Sequence, residues 1–251
     1  MTSESASDNG LRARAAARLS VMPRGTVVAV AIALGAAIAA AALLDALWLD
    51  VGTLAWRTAV LGVVGSALVL KLAARHLRAP TFGAANTVTL VRATLTIVLL
   101  ALLDLRAAEW WVMGLATLAA MLDGIDGALA RRRGEASAFG ARFDMETDAL
   151  LILVLAALVW QNGKAGVWIL AAGLLRYAFV AASFLLPWLR GALPPSRRRQ
   201  TVCVVQIVSL IGALVPVVTQ PASAALALAG LVVLIWSFAV DVAYLARQAR
   251  P

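Results

Sequence analysis

The chain has 251 residues, 63% of them hydrophobic, and its 22 Lys and Arg outnumber its 13 Asp and Glu. With a mean hydropathy of +0.90, that composition excludes an ordinary soluble domain, and the lack of alternating apolar patterning excludes a β-barrel, so the fold class is an all-α polytopic membrane protein. The net charge of +9 does not mark nucleic-acid binding, because the cations lie in short loops beside apolar runs.

Residues 1–25 read as a polar, basic tail, disordered or lying on the membrane surface. Eight spans follow, at about 26–48, 54–74, 86–103, 110–130, 140–161, 165–187, 201–219 and 223–245, each near the roughly 20 residues that cross a bilayer. The first apolar run resembles a signal peptide but exceeds an ordinary h-region, so it is read as a retained span. The first two spans (26–74) are mostly Ala, Val, Leu and Gly, with Asp45 and Asp50 in the outer turn; packing or anchoring is all they indicate.

Between the second and third spans, Pro80 and Gly83 break the helix and leave a basic segment suited to anionic head groups. His76 reads as a solvated surface residue. At the start of the third span, Asn86 reads as an N-cap and Arg92 as a side chain snorkelling to the interface, with substrate contact as the alternative.

The fourth and fifth spans carry the pattern D-x2-D-G-x2-A-R-x8-G-x3-D-x3-D, formed by Asp123, Asp126, Gly127, Ala130, Arg131, Gly140, Asp144 and Asp148. Carboxylates near a membrane cost several kcal/mol unless compensated. At roughly 100° per residue, Asp123 and Asp126 share one helical face, and Asp144 and Asp148 share a face of the next helix. The short loop predicts antiparallel neighbours, with Asp123 opposite Asp148 and Asp126 opposite Asp144. Four converging carboxylates suit two divalent ions, Mg²⁺ or Mn²⁺, with Ca²⁺ as a possible substitute. Gly127, Gly140 and Ala130 keep the wall low for a ligand or a facing backbone, and Arg131 offers a fork suited to phosphate. A hairpin merely neutralised by Arg131, Arg132, Arg133 and Arg142 is the bland alternative, but it requires none of the small residues. Glu146 points about 160° to 200° away from its neighbouring aspartates and is left out of the site.

Farther along, Arg176 lies deep in the sixth span and needs a partner, either a carboxylate such as Asp241 or the phosphate of a substrate. The loop with Arg197, Arg198 and Arg199 is either part of an anion pocket or ordinary cytoplasmic charge. A single cysteine, Cys203, excludes an internal disulfide and a Cys-based metal cluster. Only Arg57, Arg106 and Lys164 fall on the opposite side from the other loop cations. The bias predicts an inner-membrane protein with both termini and the aspartates on the cytoplasmic side.

The eight-residue pattern resembles the signature of the CDP-alcohol phosphotransferases, membrane enzymes that make phospholipids from CDP-linked donors. The resemblance covers about residues 75–248 and implies a six-helix catalytic domain over 75–251, preceded by the two extra helices. It also implies transfer of a phosphatidyl group from CDP-diacylglycerol to an acceptor alcohol, releasing CMP. Two ions would be held by Asp123, Asp126, Asp144 and Asp148, with Asp148 also the general base. Gly127, Ala130, Arg131 and Gly140 would hold the CDP moiety. Arg176 and Arg198 would bind the phosphate of an acceptor such as glycerol 3-phosphate or inositol phosphate. The resemblance further implies a homodimer among membrane lipids, with no nucleic-acid partner. A divalent-cation transporter and an intramembrane prenyltransferase are the rival readings, but neither needs Gly127, Ala130, Arg131 and Gly140 at their offsets.

Overall fold

The computed structural model describes residues 23–77, 81–105, 109–133 and 137–249, without the side chains of Arg24, Asp126, Ala128, Ala130 and residues 131–133. The tail at 1–22 and Arg106 therefore lie outside the described residues. Eight α-helices and no strand are found among those described. They are α1 (Arg24–Leu44), α2 (Leu54–His76), α3 (Ala84–Ala101), α4 (Glu109–Arg133), α5 (Ala138–Gln161), α6 (Leu170–Leu185), α7 (Arg197–Leu214) and α8 (Ala222–Gln248).

Five of these helices, α1, α2, α3, α6 and α8, are long and apolar enough to cross a membrane. The other three are α4, α5 and α7, which carry the aspartates and the triple arginine. Their polarity is concentrated where chemistry is expected, and apolar residues fill the remainder. The chain is thus a polytopic helical membrane protein.

Helix boundaries follow local signals. Ser137 is extended and its Oγ accepts from the Gly140 N–H at 3.0 Å, which caps α5. α7 begins and ends earlier than the 201–219 expected, because Val215 precedes Pro216 and is driven to an extended conformation. Asp45 of the turn after α1 accepts from the backbone N–H of Val51, Gly52 and Leu54 at 2.8, 3.1 and 3.0 Å. Its carboxylate therefore builds the α1–α2 connection.

α3 and α5 form the centre of the bundle. α3 packs against α4 and α5, α5 also against α6 and α7, and α7 against α8. α1 and α2 pair with each other and lean on α3, and α2 also touches α5. Within lipid the apolar effect between helices is weak, so close van der Waals fit must hold them. Gly173 of α6 illustrates it: a Cβ there would lie 2.4 Å from Leu153 Cα. The main apolar core, including Leu151, Leu155, Leu158 and Leu210, occupies much of the bundle. A smaller cluster around Phe82, Phe139 and Phe143 sits near the start of α5.

The end of the bundle away from the aspartates closes on its own polar groups. Lys164 Nζ donates to the carbonyls of Val215, Pro216 and Val218 at 3.2, 3.1 and 3.0 Å. Arg57 Nη1 donates to the carbonyls of Ala101 and Leu103 at 3.1 and 2.7 Å, holding the last turn of α3. Exposed Trp48, Trp56, Trp110, Trp111, Trp160 and Trp168 also belong to this end, as an interfacial aromatic belt does.

Candidate active site

The two helices of the aspartate pattern bring their carboxylates together across a third. Among the described residues α4 and α5 hardly touch; α3 packs on both, and α7 also contacts both. The carboxylates of the expected pair do converge, and a side chain of α3 lies between them.

That side chain is Arg92, which is 0% exposed. Its Nη1 donates to Asp144 Oδ1 at 2.6 Å, and its Nη2 pairs with Asp123 Oδ1 at 2.8 Å and with Asp148 Oδ1. Nε donates to the Ala119 carbonyl of α4 at 3.3 Å. The interfacial arginine expected from the sequence is instead the hub of the site. Its position is set one helical turn at a time: Thr89 Oγ1 donates to the Ala85 carbonyl, and Thr96 Oγ1 to the Arg92 carbonyl.

Asp123, Asp144 and Asp148 each present a carboxylate oxygen within 4.8 Å of the others. All three are partly exposed. One guanidinium thus serves three carboxylates among the described side chains. Hard oxygen donors that converge in this way fit a divalent cation. Asp126 lies one turn beyond Asp123 on α4, and its side chain falls outside the described residues, as do those of Ala130 and Arg131.

Of the arginines that the bland alternative would use to neutralise the hairpin, Arg142 has a described side chain. Arg142 turns away and donates from Nη1 to His76 Nε2 at 3.1 Å. His76 is correspondingly half-buried, whereas the sequence suggested a solvated residue. Residues 131–133 lie outside the described side chains.

Gly140 has a specific steric reason. A Cβ there would lie 2.8 Å from Asn86 Oδ1 and 3.2 Å from Ser137 Oγ. Asn86 is not the N-cap of α3; Gly83 holds that position with φ +82°, a conformation natural to glycine. The Asn86 Nδ2 donates back to the Phe82 carbonyl, and its carbonyl oxygen faces α5. Gly127 is half-buried on α4.

Cys203 of α7 also enters the site, donating from Sγ to Asp148 Oδ2 at 3.5 Å. Sequence reasoning missed both Arg92 and Cys203 as neighbours of the aspartates. For Arg92 the one available signal was its place in the Asn86, Thr89, Arg92 spacing. Beside Asp123, a mostly apolar cleft of about 340 Å³ opens between α4 and α7, lined among others by Met121, Val204 and Val208.

The remaining candidates lie elsewhere. Arg176 is partly exposed, and its guanidinium pairs with a carboxylate, Glu146 of α5 rather than the Asp241 given as an example. The reason is packing: α6 lies along α5, and Glu146 is on the face of α5 turned from the aspartates. Asp241 instead meets Arg198, and Arg199 Nη1 at 3.3 Å; Arg198 also donates to Ser237.

Carboxylates converging beside an apolar cleft in a helical membrane bundle suit a cation and an amphiphilic ligand together. The sequence model of the CDP-alcohol phosphatidyltransferase family matches residues 82–238. That interval covers more than half of the chain, from just before α3 into α8, and the protein belongs to this family. The family transfers a substituted phosphate group from a CDP-linked donor to an alcohol in membranes. No curated protein and no solved structure matches the chain.

Proposed function

We propose that the protein is a divalent-metal-dependent phospholipid synthase that uses CDP-diacylglycerol, with the observation of three carboxylates sharing one guanidinium carrying the reading. Asp123, Asp126, Asp144 and Asp148 would hold Mg²⁺ or Mn²⁺, as two ions. When bound, the ions neutralise the donor's pyrophosphate and stabilise negative charge developing on its oxygens.

The protein's own groups do the rest. Arg92 spans α3, α4 and α5 and fixes the carboxylates at a common point, so the geometry exists before substrate arrives. Gly127, Ala130, Arg131 and Gly140 take the CDP moiety, with Arg131 donating to phosphate. The apolar cleft beside Asp123 supports a lipid donor, since an acyl chain can lie there while the phosphates remain at the aspartates. The acceptor hydroxyl attacks the phosphorus that carries the lipid. A new P–O bond forms, the P–O bond to CMP breaks, and the hydroxyl proton passes to Asp148. Arg198, oriented by its ion pair to Asp241, favours a phosphorylated acceptor. We place the site and both termini on the cytoplasmic side, assign 75–251 as the catalytic domain, and take the functional unit as a homodimer.

The test is incubation of membranes carrying the protein with labelled CDP-diacylglycerol and a panel of alcohols. Release of CMP with one alcohol, dependent on Mg²⁺ or Mn²⁺, supports the proposal. No CMP with any alcohol, together with metal flux in nucleotide-free proteoliposomes, contradicts it.

A further inference from the structure

A second cavity, of about 500 Å³, lies on the opposite side of α5 from the aspartates. α1 and α2 form one wall, and α3, α5 and Tyr177 of α6 form the other; none of Arg92, Asp123, Asp144 or Asp148 lines it. Along α2 it extends from Gly62 to His76, about 20 Å at 1.5 Å per residue. Its deeper part is apolar, with Val30, Leu34, Val69, Leu90, Ile97 and Leu150. Leu34 and Ile97 reach across the small residues of α2: a Cβ on Gly62 would lie 2.3 Å from Leu34 Cδ1, and one on Gly65 2.7 Å from Ile97 Cδ1.

The mouth is cationic. Lys71, Arg75 and Arg142 are exposed there. Arginine has no acceptor, so His76 Nε2 must accept from Arg142; Nδ1 then carries the proton and donates to the Leu72 carbonyl at 3.2 Å. Neutral His76 thereby ties Arg142 of α5 to the end of α2. Glu146 also lines the cavity, but Arg176 engages it. Among the described residues no carboxylate pairs with Lys71, Arg75 or Arg142.

Shape and charge together select the occupant. A soluble anion would match the mouth and leave the apolar depth unfilled, whereas an amphiphile matches both.

We propose that this groove is a binding site for an anionic phospholipid, separate from the CDP-linked donor, with its phosphate beside Lys71, Arg75 and Arg142 and an acyl chain between α1–α2 and α3–α5. Such a lipid joins the N-terminal helices to the family core along a face where their walls stand apart.

The experiment uses the full chain in phosphatidylcholine nanodiscs doped with phosphatidylglycerol that carries a diazirine in one acyl chain. After irradiation, peptide mass spectrometry should place the label on α1, α2, α3 and α5 at the groove. Unlabelled phosphatidylglycerol should compete at least tenfold better than phosphatidylcholine, and each cation removed in the series K71Q, R75Q, R142Q should weaken labelling by roughly fivefold. Gly65→Leu fills the slot without touching the charges and should also abolish the label, with an unchanged elution volume showing that both sets of variants fold. Equal competition by phosphatidylcholine, labelling unchanged in the triple variant, or label found only outside the groove would overturn the proposal. Displacement by CDP-diacylglycerol at a tenfold lower concentration than by phosphatidylglycerol would overturn it too, by making the groove the donor's tail site. So would a change of oligomeric size in the Gly65→Leu protein, since a second copy would then be the covering partner.

Discussion

The two ends of this bundle bury ionised groups in opposite ways. Lys164 meets three carbonyls, Arg57 meets two, and Asp45 meets three backbone N–H groups. At the other end, three carboxylates converge on the single guanidinium of Arg92. A buried charge surrounded by complementary backbone groups stabilises loops and helix ends. Converging like charges do not stabilise a fold by themselves, and such clusters are concentrated at functional sites. The contrast separates framework ions from working ions without reference to the family.

Substitutions at the aspartate end should separate the two kinds most strongly. Asp148→Asn removes the proposed proton acceptor while keeping the hydrogen-bonding shape, and CMP release should fall by about 10²–10⁴-fold with unchanged yield of folded protein. A variant that turns over at near-normal rate refutes the base assignment. Arg92→Met should come next. Removing one partner from a buried ionic group costs about 3–5 kcal/mol, so its melting temperature should drop sharply in EDTA. Added Mg²⁺ should restore part of the loss, because cations relieve the carboxylate repulsion that Arg92 otherwise offsets. A loss identical with and without Mg²⁺ would mean that Arg92 and the metal do not share those carboxylates.

At the far end the effects should be on stability alone. Lys164→Met strands the carbonyls of Val215, Pro216 and Val218 and should cost about 1–3 kcal/mol, read as a lower melting temperature with CMP release per folded molecule unchanged. Loss of turnover at a temperature where the variant stays folded would erase the distinction between the two ends. The smallest change concerns the seam between α3 and α5. Gly140→Ala overlaps Asn86 Oδ1 and should destabilise by about 1 kcal/mol; Asn86→Ala in the same chain should recover most of that. If the double variant is no better than the single, Gly140 is needed for something other than Asn86, such as nucleotide.

What the sequence made legible was local. Asp123 on α4, and Asp144 with Asp148 on α5, share faces because a helix turns about 100° per residue, and the eight helices follow from apolar run lengths. The partner of those aspartates was not legible. Arg92 precedes Asp144 by 52 residues, and only the insertion of α3 between α4 and α5 brings them together; short connections favour direct neighbours but do not require them. For Arg176 a carboxylate partner was legible but not which one, since that depends on how α6 lies along α5. Asn86 failed locally: the cap position went to Gly83, whose positive φ no apolar pattern reveals. The groove between α1–α2 and α3–α5 was equally invisible, because its residues read as ordinary lipid-facing or packing positions on four separate helices.

The central claim is that the aspartate cluster binds divalent cations. Thermal unfolding of the purified protein over a MgCl₂ series tests it directly, with Asp144→Asn alongside. Ligand bound to the folded state raises stability as RT ln(1 + [L]/Kd), about 2.7 kcal/mol at a hundredfold excess over Kd. The wild type should therefore melt at rising temperature as Mg²⁺ increases, and Asp144→Asn should show little or none of that rise. The same rise in both proteins, or no rise in the wild type, would contradict the account.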